Sequence, residues 1–184
     1  MRLFVAAVLP EELVEALAET SAQLRGCVRG RYVAPDSFHV TLAFLGEVGV
    51  NRVDDAAGAL ERGCREFAPF EVAFGDFGSF GRRASATLWQ GFSDAGDLTA
   101  LAQSVRAELR EVGFSFDEKS FLPHVTLMRA ANLREGVLPM TPMARGVVSS
   151  VVLFRSDLSG SRPVYEPLHV TELRGSSKRG LCEG

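Results

Sequence analysis

Phe38-His39-Val40-Thr41-Leu42-Ala43-Phe44-Leu45 is the stretch that decides the fold of this 184-residue chain. Its side chains alternate with the period of a half-buried strand. Phe38, Val40, Leu42 and Phe44 are expected on the core face, with Phe44 a core filler. His39, Thr41 and Ala43 are expected on the other face, toward a cleft. The central tetrapeptide returns in Phe121 to Met128 as His124-Val125-Thr126-Leu127. There His124, Thr126 and Met128 should share one face, and Pro123, Val125 and Leu127 the other. Each segment presents an imidazole beside a hydroxyl. An imidazole moves a proton in either direction near neutral pH, and a hydroxyl donates a hydrogen bond to an anionic oxygen. Two such pairs facing one cleft form an acid–base couple around a phosphate. The competing reading is a pair of structural histidines in β-favouring tripeptides. All 3 histidines of the chain precede Val-Thr. The third copy, His169-Val170-Thr171-Glu172, lacks the apolar fourth residue and reads as a strand or surface histidine.

Outward from these strands, the chain repeats itself. Leu3 to Leu9 is a continuous apolar run, the pattern of a strand covered on both faces. Pro10-Glu11-Glu12 suits a helix N-terminus, and Leu13, Leu17, Thr20 and Leu24 share one helical face. Val53 to Phe67 carries a second amphipathic helix. Phe70 to Phe80 and Ser85 to Phe92 read as strands, with Gly75, Gly78 and Gly81 as turn punctuation rather than a phosphate loop. Asp97 is placed to cap a third helix that Gly113 ends. Val147 to Arg155 and Val164 to Leu173 read as two closing strands. Strand and helix thus lead to a His-Val-Thr-Leu strand twice. A pseudo-twofold arrangement would bring the two motif strands together from opposite lobes.

Composition narrows the remaining choices. The chain is 46% hydrophobic and 23% charged with a net charge of −3, ordinary for a globular protein. No global basic field attracts nucleic acid, so any RNA contact must come from a local basic cleft. Cys27, Cys64 and Cys182 are odd in number and widely spaced, which fits free thiols in a reduced compartment and a cytoplasmic location. The apolar N-terminal run is too short for a signal peptide and leads into an acidic helix start. No stretch is long enough to span a membrane. No His or Cys cluster has metal-ligand spacing, so neither metal nor cofactor is expected.

These segments resemble the two-histidine (2H) phosphoesterase superfamily, specifically its RNA 2',3'-cyclic phosphodiesterase (2'-5' RNA ligase-like) group. The resemblance is carried by Arg2-Leu3-Phe4-Val5-Ala6 with Leu9-Pro10, and by the two motifs with Phe44-Leu45-Gly46-Glu47-Val48. Arg129, Ser156-Asp157-Leu158 and Pro163-Val164-Tyr165 extend it. It implies an α+β fold, bilobal and pseudo-twofold, with antiparallel sheets lining a central cleft and helices outside. One such domain would span residues 1–174, ahead of a disordered tail at 175–184.

The implied activity is hydrolysis of an RNA or oligonucleotide 2',3'-cyclic phosphate end to a 2'-phosphate by a monomer, without metal. His39 would be the proton donor to the leaving oxygen and His124 the base that activates water. Thr41 and Thr126 would hold phosphate oxygens. The same couple run backward would join a 5'-hydroxyl to the cyclic phosphate as a 2'-5' bond. Arg129 is a further candidate phosphate contact, although its phase matches the apolar face; the alternative is a surface arginine. Tyr165 is a candidate for stacking on a base, with packing as its alternative. Ala43 departs from relatives that carry a basic residue there. That departure and the acidic balance leave room for a small cyclic nucleotide such as ADP-ribose cyclic phosphate as substrate. A non-catalytic RNA-binding module is the reading from another class, and the intact motif pair opposes it.

Overall fold

The computed structural model describes residues 1–116, 121–134, 137–160 and 162–176. The chain runs through β1 (Arg2–Val8), α1 (Glu11–Arg25), β2 (Arg31–Tyr32), β3 (His39–Glu47), α2 (Val53–Cys64), β4 (Phe70–Phe80) and β5 (Ala86–Phe92). It continues through α3 (Gly96–Glu111), β6 (Val125–Ala131), β7 (Arg145–Val148), β8 (Ser150–Asp157) and β9 (Val164–Glu172). The strands hydrogen-bond in the order β7-β4-β5-β6-β3-β1-β8-β9, with β2 added to β6. Every pairing is antiparallel. This is the expected α+β architecture in two halves, one around β3 and β1 and the other around β6 and β5.

The halves meet between β3 and β6, where the single registered pair is Val40 with Val125. These are the second residues of the two tetrapeptides. When equivalent residues pair antiparallel, a local dyad passes between them. The helices reinforce the join by crossing it. α1 leaves β1 but packs on β7 of the other half, where a Cβ on Gly146 would lie 2.5 Å from Pro10 Cγ. α3 leaves β5 and packs on β3. The apolar spacing noted in the sequence is buried as expected: Leu13, Leu17 and Leu24 on α1, and Leu98, Leu101, Val105 and Leu109 on α3, are each 0% exposed.

The alternation expected along both motif strands first breaks at equivalent places, and each strand has a second register shift further along. Ala6 pairs with Thr41 and Val5 with Ala43, so Leu42 has no partner on β1. Trp89 pairs with Thr126 and Leu88 with Met128, so Leu127 has none on β5. The fourth residue of each tetrapeptide is therefore a β-bulge, and a bulge shifts every later side chain to the opposite face. Ala43 and Met128 turn into the core at 0% exposure, while Phe44 emerges at 42%. Arg129, the dyad equivalent of Phe44, turns to the cleft side as well. Phe44 is thus not a core residue; the Arg2 guanidinium lies over its ring at 4.8 Å. Ala43 is buried, so its lack of charge says nothing about the cleft. Both carbonyls freed by the bulges are satisfied, as buried backbone requires. Leu42 O accepts from Arg106 Nε at 2.7 Å, and Leu127 O accepts from the Val33 N–H at 2.9 Å.

Other expectations shift for local reasons. Phe121 to His124 lie ahead of β6 rather than within it. The run from Val147 to Arg155 divides at Ser149, because β7 pairs with β4 in one half and β8 with β1 in the other. Asp97 sits inside the first turn of α3; Asp94 Oδ1 accepts from the Gly96 N–H at 2.9 Å instead. Gly75 and Gly78 lie within β4, and of the three punctuating glycines only Gly81 (φ 85) is in a turn. Gly175 N–H donates to Phe67 O at 2.9 Å, and the remainder of the expected tail beyond Ser176 lies outside the described residues. Cys27 and Cys64 are free thiols, and burial pushes Cys64 up to about 12. Cys182 lies outside the described residues. Among those residues no helix is long and apolar enough to cross a membrane.

The packing of α2 on α3 includes one close backbone approach. A Cβ on Gly63 of α2 would stand 2.7 Å from Val105 Cα of α3, and Ser104 Oγ donates to Gly63 O at 2.8 Å. Backbone cannot yield as a side chain can. Gly63→Ala is therefore expected to destabilise the fold by roughly 1–3 kcal/mol, as overpacked sites do, despite alanine's better helix propensity. Urea denaturation of the two proteins measures this; an equally or more stable variant would show that the helices can separate freely.

Candidate active site

The bulges and the dyad set the cleft face. Val40 and Val125 point into the core, so the residues on either side of each point the other way. On the antiparallel register, His39 comes opposite Thr126 and Thr41 opposite His124. All four line one cleft of about 680 Å³, together with Arg129 and Tyr165. The structure thus brings together every cleft residue singled out in the sequence. It excludes His169, whose Nε2 lies 3.0 Å from Glu61 Oε1 and links β9 to α2.

Each histidine is held the same way. His39 Nδ1–H donates to Ser37 O at 2.7 Å, and His124 Nδ1–H donates to Leu122 O at 2.7 Å. A carbonyl can only accept, so Nδ1 keeps its proton in both charge states and Nε2 is the atom that exchanges one. The partners lie two residues upstream in both cases, where Phe38 and Pro123 turn the chain into the strand. In His39, Nε2 meets Thr41 Oγ1 at 3.1 Å. In His124, Nε2 has no hydrogen-bond partner among the described residues.

Aromatic rings wall both imidazoles, a feature the sequence reading missed. Phe4 packs on His39 with centroids 5.0 Å apart. Tyr165 stands edge-on to His39 at 5.3 Å and 88°, and Phe80 edge-on to His124 at 5.1 Å and 85°. Trp89 lies 5.7 Å from His124. Trp89 could have been found from the sequence, since the apolar-run strand before the second motif must pair with it. Phe80 carried no such signal. Burial among these rings holds both histidines below the ordinary imidazole value, because desolvation disfavours the charged form. The Arg129 guanidinium acts in the same direction on both.

The rim is basic although the chain is acidic. Arg31 on β2, Arg129 and Arg162 line the cleft against a single carboxylate, Asp36. Arg31 pairs with Arg129 across β2 and β6. This short strand was not foreseen, because nothing in Arg31-Tyr32 alternates. Among the described residues no three His, Cys, Asp or Glu side chains converge to hold a metal ion. The arrangement offers two proton-exchanging nitrogens, two hydroxyls and a guanidinium to one small anionic group.

The family model of the 2'-5' RNA ligase superfamily matches residues 4–157, and the chain belongs to that superfamily. An RNA 2',3'-cyclic phosphodiesterase of Thermus thermophilus is 32% identical over 190 residues, covering 100% of this chain and 96% of that protein. A protein of the same name from Geobacillus stearothermophilus is 30% identical over 189 residues and 98% of this chain, but the chain spans only 60% of that relative's length. A crystal structure of a Thermus thermophilus protein matches with a TM-score of 0.85 at 32% identity, covering 96% of this chain and 100% of that one. Escherichia coli LigT complexed with 3'-AMP matches with a TM-score of 0.76 at 28% identity, covering 94% and 97%.

Arg129 depresses both imidazoles through its charge, so removing that charge must raise them. In Arg129→Gln, the NMR titration midpoints of the His39 and His124 ring protons are expected to move to higher pH. In the parent protein, added salt should move them the same way, because the guanidinium is exposed and screened. Midpoints that stay or fall would show that Arg129 does not act on the pair.

Proposed function

We propose that this protein, a cyclic phosphodiesterase, hydrolyses RNA 2',3'-cyclic phosphate ends to 2'-phosphates with its two histidines and no metal. The observation that carries the reading is the pair of imidazoles tethered through Nδ1 to backbone carbonyls, each with Nε2 as its exchanging atom and a threonine beside it. The cyclic phosphate sits between the tetrapeptides. Thr41 and Thr126 hydroxyls donate to its non-bridging oxygens, and Arg129 balances their charge. Nε2 of His124 takes a proton from water as the water attacks phosphorus. Nε2 of His39 gives a proton to the departing 3' oxygen, which leaves the phosphate on the 2' oxygen. Positioned acid–base groups contribute on the order of 10²–10⁴-fold each. Donors aimed at the developing charge add to this in a site shielded from water.

The bound phosphate also supplies the proton inventory. Burial and Arg129 favour two neutral imidazoles in the free protein. A bound anion offsets both effects and lets His39 hold its proton. The substrate class follows from the three cleft arginines in an otherwise acidic chain and from the names of the relatives. Run backward, the same proton transfers join a 5'-hydroxyl to the cyclic phosphate as a 2'-5' bond.

Two experiments test this reading. His39→Ala and His124→Ala are expected to abolish hydrolysis of a cyclic-phosphate-ended oligonucleotide while remaining folded by circular dichroism, since neither ring is in the core. His169→Ala should keep near-normal activity, and excess chelator should leave turnover intact. Loss of activity in His169→Ala equal to that of the other two would refute the choice of pair.

The second experiment joins product analysis to pH. Phosphorus NMR should show only the 2'-phosphomonoester; a 3'-phosphate would reverse the assigned leaving oxygen. kcat/KM should be bell-shaped, as a couple of interacting imidazoles requires. Its alkaline limb should lie at lower pH than that of kcat, because the free protein holds both histidines below the ordinary range and the bound anion raises them. A flat profile between about pH 5 and 9 would remove the case for histidine chemistry.

A further inference from the structure

The rim beside His124 carries an exposed aromatic surface. Phe80 ends β4 with 42% of its surface exposed, edge-on to His124. It is backed by Trp89, whose ring centroid is 5.2 Å away. Trp89, the only tryptophan of the chain, lies flat across β4 because Gly78 opposite it has no side chain: a Cβ there would stand 2.1 Å from the indole. The shelf is therefore built by a specific absence of side chain rather than by chance exposure of one ring. The β4–β5 turn that follows is Gly81-Arg82-Arg83. Arg83 Nη2 donates to Leu133 O at 2.7 Å. Arg82 is exposed and makes no ion pair among the described residues. No acidic residue occurs between Phe77 and Ser93. An exposed aromatic followed by a free guanidinium is the combination that holds single-stranded nucleic acid, one stacking on a base and the other meeting the backbone.

We propose that Phe80 and Arg82 form the docking site for a second RNA strand, one with a 5'-hydroxyl end, which replaces water as the nucleophile. This rests on the function proposed above and on His124 as the base. His124 stands on the side from which the nucleophile attacks, so an acceptor approaching it lays its first base on Phe80. The phosphate 3' to that base then meets Arg82. The step balances without a further reagent: the bond from phosphorus to the acceptor O5' forms as the bond to O3' breaks. The 5'-hydroxyl proton passes to His124 Nε2, and the His39 Nε2 proton passes to O3'. The product is a 2'-5' phosphodiester. Tyr165, in the matching position beside His39, faces the side of the leaving group and belongs to the strand that carries the cyclic phosphate.

The test is the partition of one cyclic-phosphate-ended oligonucleotide between water and a 5'-hydroxyl acceptor oligonucleotide in excess, read on a gel as 2'-phosphate against joined product. A ratio cancels any common effect of a substitution on His124. In Phe80→Ala the ratio of joined to hydrolysed product should fall about tenfold, the order of one lost base–aromatic stack, and Phe80→Trp should restore it. In Arg82→Gln, at an exposed turn position that folding does not need, the ratio should fall and lose part of its salt dependence. A ratio unchanged in Phe80→Ala and Arg82→Gln would overturn the proposal. So would hydrolysis by the parent protein with no joined product at saturating acceptor, and in that case the hydrolytic function stands. Absence of hydrolysis itself would instead remove the function on which the proposal rests.

Discussion

The pairing of Val40 with Val125 is the contact on which the rest of the molecule depends. It is the one registered pair between the halves, and it joins equivalent positions of the repeated tetrapeptide. Because both valines point into the core, both histidines and both threonines must point out of it on the same side. A shift of one residue in this register would turn every one of these side chains to the opposite face. The burial of two valines therefore does more than stabilise the sheet. It fixes which face becomes the cleft, and it places each imidazole beside the hydroxyl of the other half.

The two bulges make the rest of that face usable. Without them, Ala43 and Met128 would follow the threonines into the cleft. With them, Phe44 emerges at the surface and Arg129 turns into the cleft, where its charge reaches both imidazoles. At the bulges the Leu42 and Leu127 carbonyls find donors from elsewhere, Arg106 on α3 and the Val33 N–H beside β2. The helix that crosses from one half to the other thus also stabilises the kink that shapes the site.

The electrostatics form a consistent set. Aromatic walls desolvate the imidazoles and Arg129 repels their protons, so the cleft by itself favours neutral rings. In the proposed function, a doubly substituted phosphate seated between the tetrapeptides would bring the charge that reverses this preference. Protonation of His39 as the proposed acid would then be tied to occupancy, while the carbonyls of Ser37 and Leu122 keep the exchanging atom the same throughout.

The sequence alone made legible the elements other than β2 and the division of β7 from β8, the two-half repeat and the central four residues. Periodicity and a repeated tetrapeptide are local properties, and the faces of His39, Thr41, His124 and Thr126 follow from the strand repeat alone. It misjudged Phe44, Ala43, Met128 and the phase of Arg129, because alternation was extended through Leu42 and Leu127 as though the strands were regular. A bulge is set by the register of a neighbouring strand far away in sequence, so the residues that form it carry no mark of it. The aromatic walls, the carbonyl tethers and the convergence of Arg31, Arg129 and Arg162 likewise arose from packing between segments that are distant along the chain. Local sequence sets which chemical groups are present and how the central four face; their charge environment and neighbours come from the folded molecule, because both depend on what the other half brings against them.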